Sequence, residues 1–298
     1  MIQSHPGEFS AILVALFWTI TALAFESASK KVGSLPVNII RLILGFLFLS
    51  LLNLIIRGRF FPTDASVHNW IWLSVSGLIG FVLGDLFLFK SYTIIGAWFA
   101  MLMMTLAPPL AALFGWIILG ETMDLKSLSG MVLTLIGIAI ALFSKDHVNK
   151  KIAIRKPFKG IMFAFFGALG QALGIVFSKY GMQEYSPFPS TQIRIITGMI
   201  GFALIITLSG RWNAVLAALK DRKGMTAITT GSFFGPFLGV SFSLMAVKYT
   251  SAGIASTIMA IVPILIIPPS IFLFHHKITV REIVGTVLSV GGVALFFL

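Results

Sequence analysis

Ten apolar stretches, each about 20 residues long, leave little room for any fold outside a membrane. A helix needs roughly 20 apolar residues to cross the hydrocarbon core of a bilayer. Hydrophobic residues make up 57% of the chain and charged residues 11%, against about 25% charged residues in soluble domains. We therefore predict an all-α integral membrane protein, with ten transmembrane helices at 9–29, 36–56, 69–90, 95–119, 126–144, 159–180, 188–208, 226–247, 252–274 and 279–298.

The second half of the chain repeats motifs of the first half at an offset of 155 positions, or 153 near the start of each half. Because five helices is an odd number, the second half must enter the membrane in the opposite sense. We predict two inverted five-helix repeats, 1–147 and 148–298, an arrangement that supports alternating access about a midplane site. The aligned pairs are Arg41 with Arg194, Gly45 with Gly198, Leu83-Gly84 with Leu238-Gly239, Pro108 with Pro263, and Gly130 with Gly285.

The net charge of +12 does not indicate a nucleic-acid-binding protein, because the lysines and arginines lie mostly in short loops between apolar stretches. There they set topology and contact anionic lipid head groups. The expected partners are a small-molecule substrate and membrane lipid, with no nucleic acid, and a monomer is the working assumption. The chain has no cysteine, and His275-His276 stands alone. We therefore expect no metal site and no cofactor.

Several features together resemble the EamA family of the drug/metabolite transporter superfamily. They are the two five-helix halves, a proline within predicted helices four and nine, Leu119-Gly120-Glu121 after helix four, and Gly130 and Gly137 in helix five. The second half departs from this pattern, with His275-His276 in place of Gly120-Glu121. The resemblance implies a solute carrier, commonly an exporter of amino acids or other small metabolites. It also implies a multi-pass protein of a bacterial inner membrane.

Ionisable side chains are costly inside a bilayer and are therefore candidates for function. Arg41 and Arg194 occupy equivalent positions, which the inversion places toward opposite faces; each is either an anion contact or a structural arginine. Asp85 is either a coupling carboxylate or the partner of Arg41 or Lys90. Chain direction places Glu26 on the same side as Arg41, Asp85 and Lys90, so these four groups are candidates to meet.

Prolines interrupt predicted helices four and nine at corresponding places, and such paired breaks point to a transport site. We predict a central cavity between helices one, three, four, six, eight and nine. Its lining would be apolar with a few hydroxyl and amide groups. With Arg41 and Arg194, the candidate substrate-binding residues are Trp18, Thr19, Trp98, Met101, Thr105, Gln171, Ser256 and Thr257.

Two local patterns concern packing. Glycines at helical spacing, such as Gly80 with Gly84 and Gly170 with Gly174, predict closely packed helices. The segment 211–223 is either a short amphipathic helix at the membrane surface or a loop.

A passive facilitator or channel is the alternative function, and an intramembrane enzyme is a less favoured one. No ring of charges and no filter motif supports a channel. No clustered aspartates, His and Cys groups or G-x-S-x-G motif supports an enzyme. We therefore expect a secondary transporter and not an enzyme.

The distribution of lysines and arginines predicts the orientation of the chain. Positive residues concentrate on the loops that follow odd-numbered helices, which the positive-inside rule places in the cytoplasm. We expect an Asn149→Cys variant, in a chain that otherwise lacks cysteine, to resist an impermeant thiol reagent on intact cells and to react after permeabilisation. Labelling of intact cells would establish the reverse orientation, with both termini inside, as characterised relatives more often have.

Overall fold

The computed structural model describes residues 6–120, 125–145, 152–154, 156–249, 258–274 and 278–297. Most of them are helical. The helices are α1 (Pro6–Val32), α2 (Ser34–Arg57), α3 (Val67–Ile95), α4 (Ala97–Leu119), α5 (Leu125–Leu142), α6 (Phe158–Met182), α7 (Pro187–Leu208), α8 (Trp212–Lys220), α9 (Arg222–Tyr249), α10 (Val262–Leu265 continued by Ile267–Phe274) and α11 (Val280–Phe297).

The all-helical membrane architecture is confirmed. Within the described residues, seven helices are long and apolar enough to span a bilayer, and shorter apolar helices lie at Leu128–Leu142 and Val262–Leu273. Phe143–Lys145 and Ile152–Ile154 form two short antiparallel strands, β1 and β2, in the connection between the halves. The sequence did not predict these strands. The predicted boundary at 147/148 lies outside the described residues.

The prolines break α4 and α10 as predicted. Pro108 has no N–H to donate to the carbonyl of Met104, which instead accepts from the N–H of Ala107 at the end of a 3₁₀ turn, Met104–Leu106. In the second repeat a turn at Ala260 and Ile261 comes just before Pro263, and α10 breaks again at Ile266, just before Pro268 and Pro269. Both repeats thus contain an interrupted helix at a matching position.

A second symmetric feature was not predicted: α3 and α9 each contain a seven-residue π-helical segment. These segments are Leu78–Gly84 and Phe233–Gly239, which correspond residue for residue at the offset of 155. The second contains Pro236, whose ring is tolerated where the wider turn relaxes the regular hydrogen-bond ladder. π-Helical segments occur frequently at functional sites, and here they mark the middle of the bundle.

The glycine pattern packs α3 directly against α6. A Cβ on Gly170 would lie 2.5 Å from the Cα of Gly84, and a Cβ on Gly174 would lie 2.9 Å from the Cα of Gly80. The same close approach recurs between α5 and α11, where a Cβ on Gly285 would lie 2.6 Å from the carbonyl oxygen of Gly137. The predicted role of these glycines in helix packing is confirmed.

The segment after α7 is a helix, α8, which resolves the alternative left open by the sequence. Val215 and Ala218 are buried, whereas Trp212, Leu216 and Leu219 are exposed. The exposed apolar residues recur at helical spacing on one side of α8, the pattern of a helix that lies along a membrane surface.

A substitution at Gly77 tests whether the close contact between α3 and α7 stabilises the fold. A Cβ there would lie 2.5 Å from the backbone oxygen of Arg194 and 3.0 Å from its Cα, and backbone atoms cannot move aside. We expect Gly77→Ala to force α3 and α7 apart and to lower the free energy of unfolding by about 1–3 kcal/mol.

The matched control is Gly291→Ala, because a Cβ at Gly291 meets nothing within 4 Å. Alanine there removes backbone freedom only and should leave stability unchanged or slightly higher. Melting temperatures of the purified variants in detergent provide the comparison. Equal melting of both variants and the wild type would contradict the close contact between α3 and α7.

Candidate functional site

A buried ion pair lies at the end of the π-helical segment of α3. Asp85 follows that segment, and its Oδ2 lies 2.5 Å from Nη2 of Arg41 on α2. Both side chains are buried. The Nε of Arg41 donates to Oδ1 of Asn38 at 3.0 Å, and Gln171 of the second repeat donates to Oδ1 of Asp85 at 2.7 Å. Both carboxylate oxygens of Asp85 therefore have protein donors.

The two equivalent arginines meet at one aromatic ring. The Cζ of Arg194 lies 4.7 Å from the centroid of Phe81, and the Cζ of Arg41 lies 5.7 Å from it. Arg41 also lies over Phe89 at 4.6 Å. The helices α2 and α7 begin at opposite faces, as the inverted repeat requires, yet their guanidinium groups converge on the centre of α3.

The surroundings of Phe81 and Pro236 follow the repeat. A Cβ on Gly198 would lie 3.2 Å from the Cβ of Phe81, and a Cβ on Gly45 would lie 3.1 Å from that of Pro236. Each π-helical segment therefore presses its central side chain onto a glycine of the other repeat. Gly45 and Gly198 are themselves an aligned pair, so the two contacts are equivalent.

Gln171 and Trp18 also occupy corresponding places. A Cβ on Gly84 would lie 3.3 Å from the backbone nitrogen of Gln171, and a Cβ on Gly239 would lie 2.8 Å from Nε1 of Trp18. The repeat thus places an amide beside one π-helical segment and an indole beside the other. The two positions are 153 residues apart, the offset found near the start of each half.

Of the four charged groups that were expected to meet, the structure joins Arg41 and Asp85. Lys90 lies exposed at the surface, because its place on α3 turns it away from the buried face that carries Asp85. Glu26 is fully buried, accepts a hydrogen bond from the backbone N–H of Ala97 at 3.0 Å and pairs with Lys30 at 2.5 Å. Of the two cations considered as partners of Asp85, the structure selects Arg41.

The other candidate residues are distributed over several helices. Thr19 donates to the carbonyl of Ala15 at 2.8 Å within α1. Thr105 lies 2.7 Å from the hydroxyl of Ser289 on α11 and also bonds Leu102 of its own helix. Its hydroxyl thus joins α4 to α11, a contact that the sequence did not reveal.

Trp98 and Met101 lie on α4. Trp98 is buried, and its Nε1 has no hydrogen-bond partner among the residues that the structure describes. The sulfur of Met101 accepts a hydrogen bond from Tyr92 at 3.5 Å. Ser256 and Thr257 lie outside the described residues. Within the described part of the chain, no group of three or more His, Cys, Asp or Glu side chains is placed to hold a metal ion.

A polar contact outside the membrane spans joins the two repeats at the face where α2 ends. The hydroxyl of Tyr185 donates to Asp64 at 2.8 Å, and Arg57 also pairs with Asp64. Burial raises the pKa of Tyr185 to about 12. Burial also acts to raise the pKa of Asp64, but hydrogen bonds from Tyr185 and Arg57 outweigh it and leave that pKa lowered. This contact therefore persists across neutral pH.

Sequence reasoning missed Phe81, Asn38 and Pro236. Asn38 precedes Arg41 by three residues, so a helix places the two side chains on one face; this spacing was a usable signal. Pro236 is a proline within a predicted helix, and it aligns with Phe81 in the first half. This pattern was a usable signal for both positions. That the two guanidinium groups share the Phe81 ring had no signal in the sequence.

A model of the EamA-like transporter family matches residues 5–143 and again residues 158–298. The chain belongs to the EamA-like transporter family. One match falls within each predicted half, and together they identify the chain as a multi-pass membrane transporter. The expectation that it is not an enzyme is confirmed by this membership.

Curated relatives agree with the family. An uncharacterized transporter of Clostridium kluyveri is 26% identical over 60% of this chain and 56% of its own length. The uncharacterized transporter YvbV of Bacillus subtilis is 27% identical over 63% of this chain and 59% of its own length. The matches thus span less than two thirds of each relative.

One solved crystal structure shares the fold over nearly all of both chains. It covers 97% of this chain and 96% of its own, with a TM-score of 0.63 and 17% sequence identity. At that identity the likeness concerns the fold alone.

The pairing of Asp85 with Arg41 predicts the effect of removing the carboxylate. Asp85→Asn leaves a buried guanidinium without its counter-charge, so we expect the free energy of unfolding to fall by about 3–5 kcal/mol. An Arg41→Gln/Asp85→Asn double variant should lose less than the sum of the single losses, because the two charges disappear together. Melting temperatures in detergent provide the measurement.

Glu184→Gln, at an exposed position, is the control for losing one carboxylate and should melt like the wild type. Transport assays distinguish a structural role of Asp85 from a role as the coupling carboxylate. Wild-type stability of Asp85→Asn, together with loss of pH-driven flux and retention of substrate exchange, would identify a coupling carboxylate and contradict the structural role.

Proposed function

We propose that the protein is a secondary carrier that exports small metabolites such as amino acids by alternating access. The observation that carries this proposal is the matched pair of π-helical segments in α3 and α9, the first of which ends at the buried pair of Asp85 and Arg41. In inverted-repeat carriers, substrate sites lie near the midplane, between the repeats, beside interrupted helices. In this protein the interrupted helices are α4 and α10, one in each repeat.

The contacts of the cluster support a site shared between the repeats. Asp85 and Arg41 belong to the first repeat, whereas Gln171 and Arg194 belong to the second. Any movement of one repeat against the other must therefore rearrange hydrogen bonds at Asp85. A contact between the repeats at the centre of the bundle suits alternating exposure of one site better than a continuously open pore does.

We retain the candidate substrate residues expected from the sequence, but we favour some of them over others. Arg194 and Trp98 are buried and Gln171 is half-buried, and all three lie near the interrupted or π-helical segments. The hydroxyl groups of Thr19 and Thr105 donate hydrogen bonds to backbone carbonyls of their own helices. We therefore assign these two residues packing roles. The proposed location is the inner membrane of a bacterium, with a small-molecule substrate and lipid as partners.

Reconstitution into proteoliposomes tests the proposal. We expect saturable uptake of at least one labelled L-amino acid, and acceleration of that uptake when the vesicles are preloaded with the same unlabelled solute. Counterflow of this kind requires a site that faces one side at a time. Flux that increases linearly with concentration and shows no acceleration would identify a passive channel instead.

Empty liposomes, and liposomes that carry protein inactivated by heat, define the background of that experiment. Absence of flux for amino acids, sugars, nucleosides and organic acids alike would remove the carrier proposal.

A further inference from the structure

The buried cluster at the centre of the bundle has more positive than negative charge. Asp85 accepts from both Arg41 and Gln171, so its two oxygens are engaged. Arg194 is 4% exposed, and its Nε has no hydrogen-bond partner among the described residues. Glu26, the other buried carboxylate nearby in the first repeat, pairs with Lys30. The group formed by Arg41, Asp85 and Arg194 thus carries one surplus positive charge.

A surplus guanidinium in this position is expensive. A charge within the bilayer costs several kcal/mol unless it is paired, and arginine does not discharge that cost by losing its proton. The ring of Phe81 offsets part of the cost, about 0.5–2 kcal/mol for a cation–π contact. A negative charge of matching geometry would offset much more.

The inverted repeat explains why the surplus falls on Arg194. Arg41 and Arg194 are an aligned pair, but the position equivalent to Asp85 holds Val240. The fold therefore supplies one carboxylate for two equivalent arginines, and Arg41 takes it. By analogy with the pair of Arg41 and Asp85, the counter-charge that Arg194 lacks is that of a single carboxylate.

We propose that Arg194 binds the carboxylate of a small monocarboxylate substrate, whereas Arg41 is held by Asp85 as a structural partner. The Nε and Nη2 groups of a guanidinium form one edge that suits the two oxygens of a carboxylate. A Cβ on Gly80 would lie 3.2 Å from Nη2 of Arg194, so the absence of a side chain at Gly80 lets this edge lie against the backbone of α3. This inference rests on the proposed carrier function and specifies its substrate class.

A dianion such as a phosphate monoester fits less well, because two negative charges would leave the cluster with one surplus negative charge. A neutral solute leaves Arg194 unpaired. The cluster therefore discriminates by charge, and the discrimination depends on the second arginine and not on the first.

The test compares carboxylic acids with their primary amides, which lack the carboxylate charge, on the purified protein. The probes are L-amino acids and 2-hydroxy acids, each measured beside its primary amide by thermal shift in detergent. Ligands that bind the folded state raise its apparent stability. We expect one or more acids to stabilise the wild type, and their amides to bind about 10- to 100-fold more weakly, the equivalent of one charge-assisted pair.

Two variants of Arg194 then separate recognition from folding. Arg194→Gln should bring the affinities for the acid and its amide to within about threefold, and Arg194→Lys should keep a reduced preference, because the ammonium retains the charge but not the planar edge. If the glutamine variant does not fold, the lysine variant alone carries the comparison. Arg222→Gln, an exposed arginine, is the control for net charge and should keep the wild-type preference.

The outcomes are distinct. Equal stabilisation of the wild type by acids and amides, stabilisation by no acid at all, or an undiminished acid preference in both Arg194 variants would each overturn the role of Arg194. Saturable counterflow in proteoliposomes together with any of these results would leave the carrier function intact and remove only the carboxylate site. Absence of flux for every solute class would instead remove the carrier function itself.

Discussion

The buried pair of Arg41 and Asp85 constrains the rest of the bundle, because hydrocarbon offers no solvent for a charge and the protein must supply every partner. Asn38 holds the Nε of Arg41 from one turn below, and Gln171 reaches the second oxygen of Asp85 from the other repeat. Gln171 can do so only because Gly84 and Gly170 bring α3 and α6 into backbone contact. The compensation of the buried charges therefore depends on the close packing of α3 and α6.

The helical framework was predictable because it follows from hydropathy and the repeat, two properties that act along the chain. The π-helical segments were less accessible. A run of apolar residues gives no sign of a locally wider turn, and only Pro236 and its aligned partner Phe81 marked the places. Lys90 shows a related limit: a long side chain near a helix end can extend to the surface, so its position in the sequence did not decide whether it met Asp85.

The candidate site was predictable in its residue types and not in their partners. Arg41, Asp85, Gln171 and Arg194 were identified because polar groups in apolar helices are rare. Which of them would pair depends on the rotation of each helix about its axis, and such rotations are set by contacts between distant segments. Thr105 illustrates this dependence, since its hydroxyl meets Ser289 on α11, a helix that the predicted cavity did not include.

The asymmetry of the repeats bears on how the proposed carrier would work. In an inverted repeat with identical halves, exchanging the conformations of the halves would give two states of equal energy. Here Asp85 of the first half corresponds to Val240 of the second, and Trp18 of the first half corresponds to Gln171 of the second. The two states would therefore differ in how well their buried charges are compensated. A ligand shifts such an equilibrium only by its difference in affinity for the two states. A carboxylate at Arg194 would supply that difference, because it compensates a buried arginine whose Nε has no hydrogen-bond partner among the described residues.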